Sequence, residues 1–178
     1  RWTGTALDLL DQTRLPQEII YRRCEEGEAV REAIVTLQVR GAPAIGLAAA
    51  WGLALAMNGH DHLEPGAWRR ALETAAARLR SARPTAVNLA WALAQQLNAI
   101  DAARLSGASG RALLTETAAR LQAEDEHVCA TLGAYGASVI PDGARIFTHC
   151  NAGALAVAAW GTATAPMYHM QAEGRPFK

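Results

Sequence analysis

Three places in this sequence combine residue types that could do chemistry with a local pattern that would present them: Arg40-Gly41-Ala42-Pro43, Arg83-Pro84-Thr85 and His149-Cys150-Asn151. At the first, Pro43 suits the opening turn of a helix, because its fixed φ matches that position and its missing N–H would lack an intrahelical partner anyway. Gly41 allows a sharp bend and a close backbone approach, and the first amides of the helix point outward with the positive end of the helix dipole. With Arg40 beside them, these groups make a seat for an anion. The same residues also fit a tight helix-helix turn carrying a solvated arginine, and one instance does not separate the two readings.

The second place repeats the logic. Arg83 precedes Pro84 at the entry to an apolar helix predicted over Ala86 to Leu97. Two arginines at two helix entries can grip one phosphate from different sides. Trp91 in that helix is expected to pack in the core. At the third place Cys150 ends a strand predicted over Ala144–Cys150, before a helix of small residues predicted over Ala154–Ala165. The helix dipole would favour its thiolate, whereas apolar Phe147, Ala152 and Leu155 would favour the neutral thiol, and a buried core cysteine is the plainer alternative. His149 points to the opposite face of a strand from its neighbour, so a simple Cys-His couple is not expected. Asn151 is the better candidate to hydrogen-bond a bound sugar.

These groups need elements to hold them. Arg1 to Leu7, Leu9 to Pro16 and Ile19 to Tyr21 suggest a small β element, and Val30, Ala33, Ile34 and Leu37 recur at helical spacing within a helix over Glu25 to Gln38. An apolar helix over Ala44 to Met57 follows Arg40. Further helices are expected around Trp68, Leu72 and Leu79 and from Arg111 to Leu132, with a loop or frayed end over Ala99 to Gly110. His60 and His62 read as solvated loop residues, and Glu124 to His127 as an exposed helix face. The fold expected is α/β overall. A mainly helical domain with a small β element covers 1–137, and the first strand-helix unit of a Rossmann-like parallel α/β domain covers 138–178. No Gly-x-Gly-x-x-Gly is present, so a dinucleotide is not proposed.

Composition narrows the classes. Lys plus Arg equals Asp plus Glu at 17 each, with no basic block, so neither a nucleic acid nor an acidic membrane surface is the expected partner. Hydrophobic residues make up 51% and charged residues 19%, the balance of a globular chain. Cys24, Cys129 and Cys150 are widely spaced and form no Cys-x-x-Cys pair, which fits a reducing cytoplasm and argues against a structural zinc site.

Four blocks resemble one known family in order and separation: Leu10-Asp11-Gln12-Thr13-x-Leu15-Pro16, Val39 to Gly46, Arg83 to Leu89, and Thr148 to Ala156. They are similar to methylthioribose-1-phosphate isomerase, whose superfamily includes regulatory subunits of translation initiation factor 2B and ribose-1,5-bisphosphate isomerase. The resemblance implies an aldose-ketose isomerase of methionine salvage that converts 5-methylthioribose 1-phosphate to 5-methylthioribulose 1-phosphate as a homodimer, without metal or nucleotide. It matches Arg40, Gly41, Ala42 and Arg83 to substrate and phosphate contacts and Cys150 to a cysteine that assists the transition state.

The resemblance also departs from the family pattern. The family's acid aspartate, a substrate-binding glutamine and an Asn-Lys pair all lie downstream of the last residue here, and Pro166 interrupts the helix expected to lead to a second strand. The chain is therefore expected to be the N-terminal half of an enzyme, inactive alone, with the C-terminal half of the same protein as its partner. Two alternatives remain: a non-catalytic regulatory subunit of the initiation factor type or a related ribose-phosphate isomerase, and a hydrolase or transferase using Cys150 as nucleophile.

Overall fold

The computed structural model describes residues 1–178 as β1 Leu7–Leu10, β2 Tyr21–Cys24, α1 Gly27–Val35, α2 Ala42–Ala56, α3 Pro65–Arg80, α4 Val87–Ala103, α5 Gly107–Val139, a 3₁₀ turn Ala154–Ala156, and α6 Ala165–Ala172. The chain divides into two compact units, Arg1–Leu121 and Gln122–Lys178.

The first unit is built around α2. Almost every residue from Ile45 to Leu55 is buried, whichever way it faces, because this helix is apolar all round and carries no charged stripe to keep in water. Small residues let its neighbours come close. A Cβ on Gly27 of α1 would stand 2.6 Å from the Ala56 Cβ, and one on Gly52 would stand 3.0 Å from Val30. Helices α3 and α4 complete the surroundings with Trp68, Leu72, Leu79, Leu89 and Leu93. β1 and β2 pair antiparallel, Leu7 opposite Cys24 and Leu10 opposite Tyr21, and turn Leu7, Leu9 and Cys24 inward.

Several expectations are corrected. The strand ends at Leu10, because Asp11 accepts the backbone N–H and hydroxyl of Thr13 and turns the chain there. Helix α1 stops at Val35 through a Schellman turn: Leu37 takes a left-handed φ of 61°, its N–H reaches Ile34 O, and the Gln38 N–H reaches Ala33 O at 2.9 Å. Most of the stretch read as a loop at Ala99 to Gly110 is helical, interrupted at Arg104, which is itself left-handed.

In the second unit the strand predicted over Ala144–Cys150 is not a strand. Only its first residues pair, in parallel with the segment after α6: Ile146 N–H donates to Lys178 O at 2.8 Å and Lys178 N–H to Ala144 O at 2.9 Å. A parallel strand needs partners along its length, and here it has one short one. The helix predicted over Ala154–Ala165 is replaced by the 3₁₀ turn and bends. Gly161, at φ 86°, lies so close to Ala152 that a Cβ would stand 2.5 Å from its carbonyl oxygen, and the Thr164 hydroxyl donates to Trp160 O. Pro166, expected to interrupt a helix, instead sits in the first turn of α6. That helix lies against α5 where Gly136 leaves room for the Pro166 ring and Gly133 for His169.

Candidate functional site

Arg40 leaves the Schellman turn and precedes Gly41, whose φ of 105° only glycine adopts readily and which is the N-cap of α2. Pro43 is in the first turn, and the first helical bond runs from the Ile45 N–H to Gly41 O at 2.9 Å, so the amides of Ala42 and Ala44 have no intrahelical acceptor. No acidic residue and no side-chain cap occupies this end. The same holds at α4: Ala86 is the N-cap without a side-chain cap bond, no acidic residue lies in the first turn, and the Arg83 carbonyl closes the preceding turn by accepting the Ala86 N–H at 3.0 Å.

Helices α2 and α4 touch near their entrances. A Cβ on Gly46, in the second turn of α2, would stand 2.7 Å from the backbone oxygen of Asn88 in the first turn of α4. Arg40 is exposed and Arg83 half-buried. Neither pairs with a carboxylate, whereas Arg14, Arg22, Arg31, Arg69, Arg78, Arg111 and Arg175 all do. Each of these helix entrances thus presents a positive dipole end and a guanidinium that no carboxylate neutralises, the condition under which an anion gains from dipole and charge.

Gln12 is a positioning residue that the sequence did not reveal. It is 6% exposed, its N–H donates to Gln38 O at 2.9 Å, and its Nε2 donates to the Arg40 carbonyl at 3.3 Å. The β1–β2 connection therefore holds both ends of the segment that carries Arg40. Its neighbours Asp11, Thr13 and Arg14 are polar as well, so no local pattern set it apart. The expectation for Trp91 is corrected: it is 49% exposed, because the buried stripe of α4 runs through Leu89, Ala92, Leu93 and Gln96 and leaves position 91 outside.

Cys150 and Asn151 belong to the second unit, and both are exposed. The core-cysteine reading does not hold: Cys150 has a left-handed φ of 66°, and Phe147, expected to shield it, is 91% exposed. Below the cysteine the chain closes on itself, with the Thr162 N–H donating to Ala152 O at 3.0 Å. The acidic run on α5 is not simply solvated either, since Asp125 accepts the Ala158 N–H at 2.7 Å and so pins the small-residue loop. Burial pushes the Cys129 thiol, and likewise the Cys24 thiol, above the ordinary range. His60 and His62 gather no third ligand, and no group of three metal-ligating side chains exists. A cleft of about 520 Å³ lies at the opposite end of α2 from Arg40, between Gly27, Glu28, Arg31, Ala56 and Arg78.

These features define a family. Residues 38–178 match the model of the initiation factor 2 subunit family, and the chain belongs to it. Among curated relatives, it is 48% identical over 162 residues to methylthioribose-1-phosphate isomerase of Xanthomonas euvesicatoria pv. vesicatoria, covering 91% of this chain and 45% of that protein. It is 42% identical over 178 residues to 5-deoxyribose 1-phosphate isomerase of Moorella thermoacetica, covering 99% of this chain and 51% of that one. Two solved structures share the fold. The 5-methylthioribose 1-phosphate isomerase of Pyrococcus horikoshii superposes with a TM-score of 0.92 at 33% identity, over 99% of this chain and 49% of that one. The delta subunit of translation initiation factor eIF-2B from A. fulgidus does so with 0.89 at 36% identity, over 100% and 52%. The chain spans about half the length of the curated relatives it matches.

Proposed function

We propose that this chain is the phosphate-binding part of an aldose-ketose isomerase acting on 5-methylthioribose 1-phosphate. The observation that supports the reading is the contact of Gly46 in α2 with the Asn88 backbone in α4, since each of these helices has an uncapped entrance preceded by an arginine. The names of the relatives supply the chemistry: they are isomerases of 5-substituted ribose 1-phosphates.

Phosphate on the anomeric oxygen locks the sugar in its ring, so the ring must open before isomerisation. The ring oxygen gains a proton and the bond from C1 to that oxygen breaks. The hydrogen on C2 then moves to C1, the C2 hydroxyl gives up its proton as the carbonyl forms, and the phosphate stays on O1 throughout. Arg40 and Arg83, with the amides at Gly41 and Ala42, hold the phosphate dianion and so fix C1 and C2 during these transfers. Cys150 and Asn151 are assigned to the reacting carbons and the sugar hydroxyls. We assign the working enzyme to a homodimer in the cytoplasm, where Cys24, Cys129 and Cys150, all unpaired here, would stay reduced.

A second reading rests on the likeness to the initiation factor subunit: a regulatory protein that keeps the fold and turns nothing over. The test is to incubate the full-length protein with 5-methylthioribose 1-phosphate and follow the ketose product. Turnover that Cys150→Ser reduces by about a hundredfold or more, on the scale of a lost acid-base group, supports the isomerase. No turnover supports the regulator. A stable covalent adduct on Cys150 would point instead to nucleophilic catalysis.

A further inference from the structure

Cys150 holds a left-handed φ of 66°, and Trp160 does the same further on, a conformation that residues with side chains seldom take and keep only where their surroundings over-determine it. Upstream of the cysteine nothing does so: Phe147, Thr148 and His149 make no hydrogen bond. The place of Cys150 is therefore set from the other side, by the loop that follows it. That loop is closed at its base and tied to two helices. Ala152 O accepts the Thr162 N–H at 3.0 Å, and Gly161 packs so tightly there that a Cβ would collide with the Thr164 hydroxyl. Thr164 Oγ1 donates to Trp160 O at 2.6 Å and stands 3.4 Å from Ala152 O, so one hydroxyl bridges the two sides of the base. Farther round the loop, the Asp125 carboxylate of α5 accepts the Ala158 N–H at 2.7 Å, a charge-assisted bond.

Thr164 is the N-cap of α6, where a threonine ordinarily turns its hydroxyl to the amides of the first turn. Here those amides do not need it. Pro166 has no N–H, and the Met167 N–H already donates to Thr164 O at 3.0 Å. The hydroxyl is thereby released to the loop. Ala152 adjoins Asn151, which adjoins Cys150, so a hold on the Ala152 carbonyl passes to both through planar peptide units. Resting on the isomerase reading above, we propose that Thr164 and Asp125 are positioning residues for that reaction: by fixing the loop they fix where Cys150 and Asn151 stand against the sugar. A reacting group displaced by about 1 Å can lose about a hundredfold in rate, and a clasp of this kind acts on that scale.

The experiment measures kcat and KM for 5-methylthioribose 1-phosphate in the full-length wild type and in Thr164→Val, Thr164→Ser, Thr164→Asp and Asp125→Ala, with the melting temperature of each. Thr164→Val keeps the shape and loses the donor, and is expected to lower kcat about tenfold with KM changed by less than about twofold. Thr164→Ser keeps the donor and is expected to restore most of the rate. Thr164→Asp separates positioning from the stability of α6. Its negative charge suits the helix N-terminus, so the melting temperature should hold, but an ionised carboxylate has no proton for Trp160 O and kcat should fall as in Thr164→Val. Asp125→Ala is expected to lower kcat likewise, and decides the matter if Thr164→Val does not fold. Wild-type kcat in the folded variants, or a fall in kcat that Thr164→Ser shares, overturns this assignment and leaves the isomerase reading standing. A wild type that turns over none of the sugar overturns that reading, and this one with it.

Discussion

A methyl group on Gly46 would stand 2.7 Å from the carbonyl oxygen of Asn88, closer than real Cβ atoms approach backbone oxygen. Helices α2 and α4 can therefore touch at their entrances only because position 46 has no side chain. Gly46→Ala must push the entrances apart by a few tenths of an ångström or more. Overpacking of this kind costs about 1–3 kcal/mol, and here it would also shift the entrance of α2 relative to that of α4. Thermal denaturation should show the loss of stability. On the proposed function, the KM of the full-length protein for the sugar phosphate should rise more than tenfold in variant that is still folded; an unchanged KM would mean the two mouths do not act on one phosphate.

Gln12 reaches the same site from the other side, through the bond from its Nε2 to the Arg40 carbonyl. Gln12→Leu keeps the volume and removes the donor, leaving that carbonyl short of a partner at a cost of about 1–2 kcal/mol. Because Arg40 is displaced rather than removed, KM should rise severalfold with kcat nearly constant. A fall in kcat alone, with KM unchanged, would place Gln12 outside phosphate binding.

Arg175 ties together the second unit's end of α5. Its guanidinium donates to Ala137 O at 2.9 Å, to Ile140 O at 2.6 Å and to Asp142 Oδ1 at 2.7 Å, satisfying carbonyls that a helix C-terminus leaves open. Arg175→Ala should loosen the parallel pairing next to it. Hydrogen exchange should quicken at the amides of Gly143, Ile146 and Lys178, while the amides of α2 keep their protection. Uniform acceleration through both units would show that the arginine acts on global stability instead.

What the sequence disclosed, and what it did not, divides along the range of the interactions. The α2 helix and its entrance were legible because Pro43, Gly41 and an uninterrupted apolar run act within one or two turns. Trp91 was misjudged although the information was local: the buried positions 89, 92, 93, 96 and 100 define a stripe that excludes 91. The turn at Leu37 carries no glycine to announce its left-handed residue, so the end of α1 was overrun. Gln12 and Gly46 depend on contacts with Arg40 and Asn88, far away in the chain, and no local pattern reports them. The small residues from Ala154 to Ala165 favour helix by propensity, but Gly161 packs on Ala152, and Thr164 and Asp125 bind the backbone of the loop, and these contacts outweigh the propensity.

Glu28 supplies a dependence on pH whose sign can be worked out. Its carboxylate accepts from Arg78 Nε at 2.6 Å and from Arg31 Nε at 2.8 Å, and these guanidinium bonds, that of Arg78 foremost, hold its pKa down to about 2 from the ordinary 4.5. A folded-state pKa below the unfolded one means that the contribution is fully present above the ordinary value, fades as the pH falls from about 4.5 to about 2, and is gone below that. The side chain is 43% exposed, so solvent screening limits the contribution to no more than about 1 kcal/mol. Urea denaturation should find Glu28→Gln less stable than wild type at pH 7, with the gap between their midpoints closing as the pH is lowered through that window. A gap that stays constant down to pH 2 would show that the substitution disturbs the packing beside Gly27 and Ala56 rather than the charge on the carboxylate.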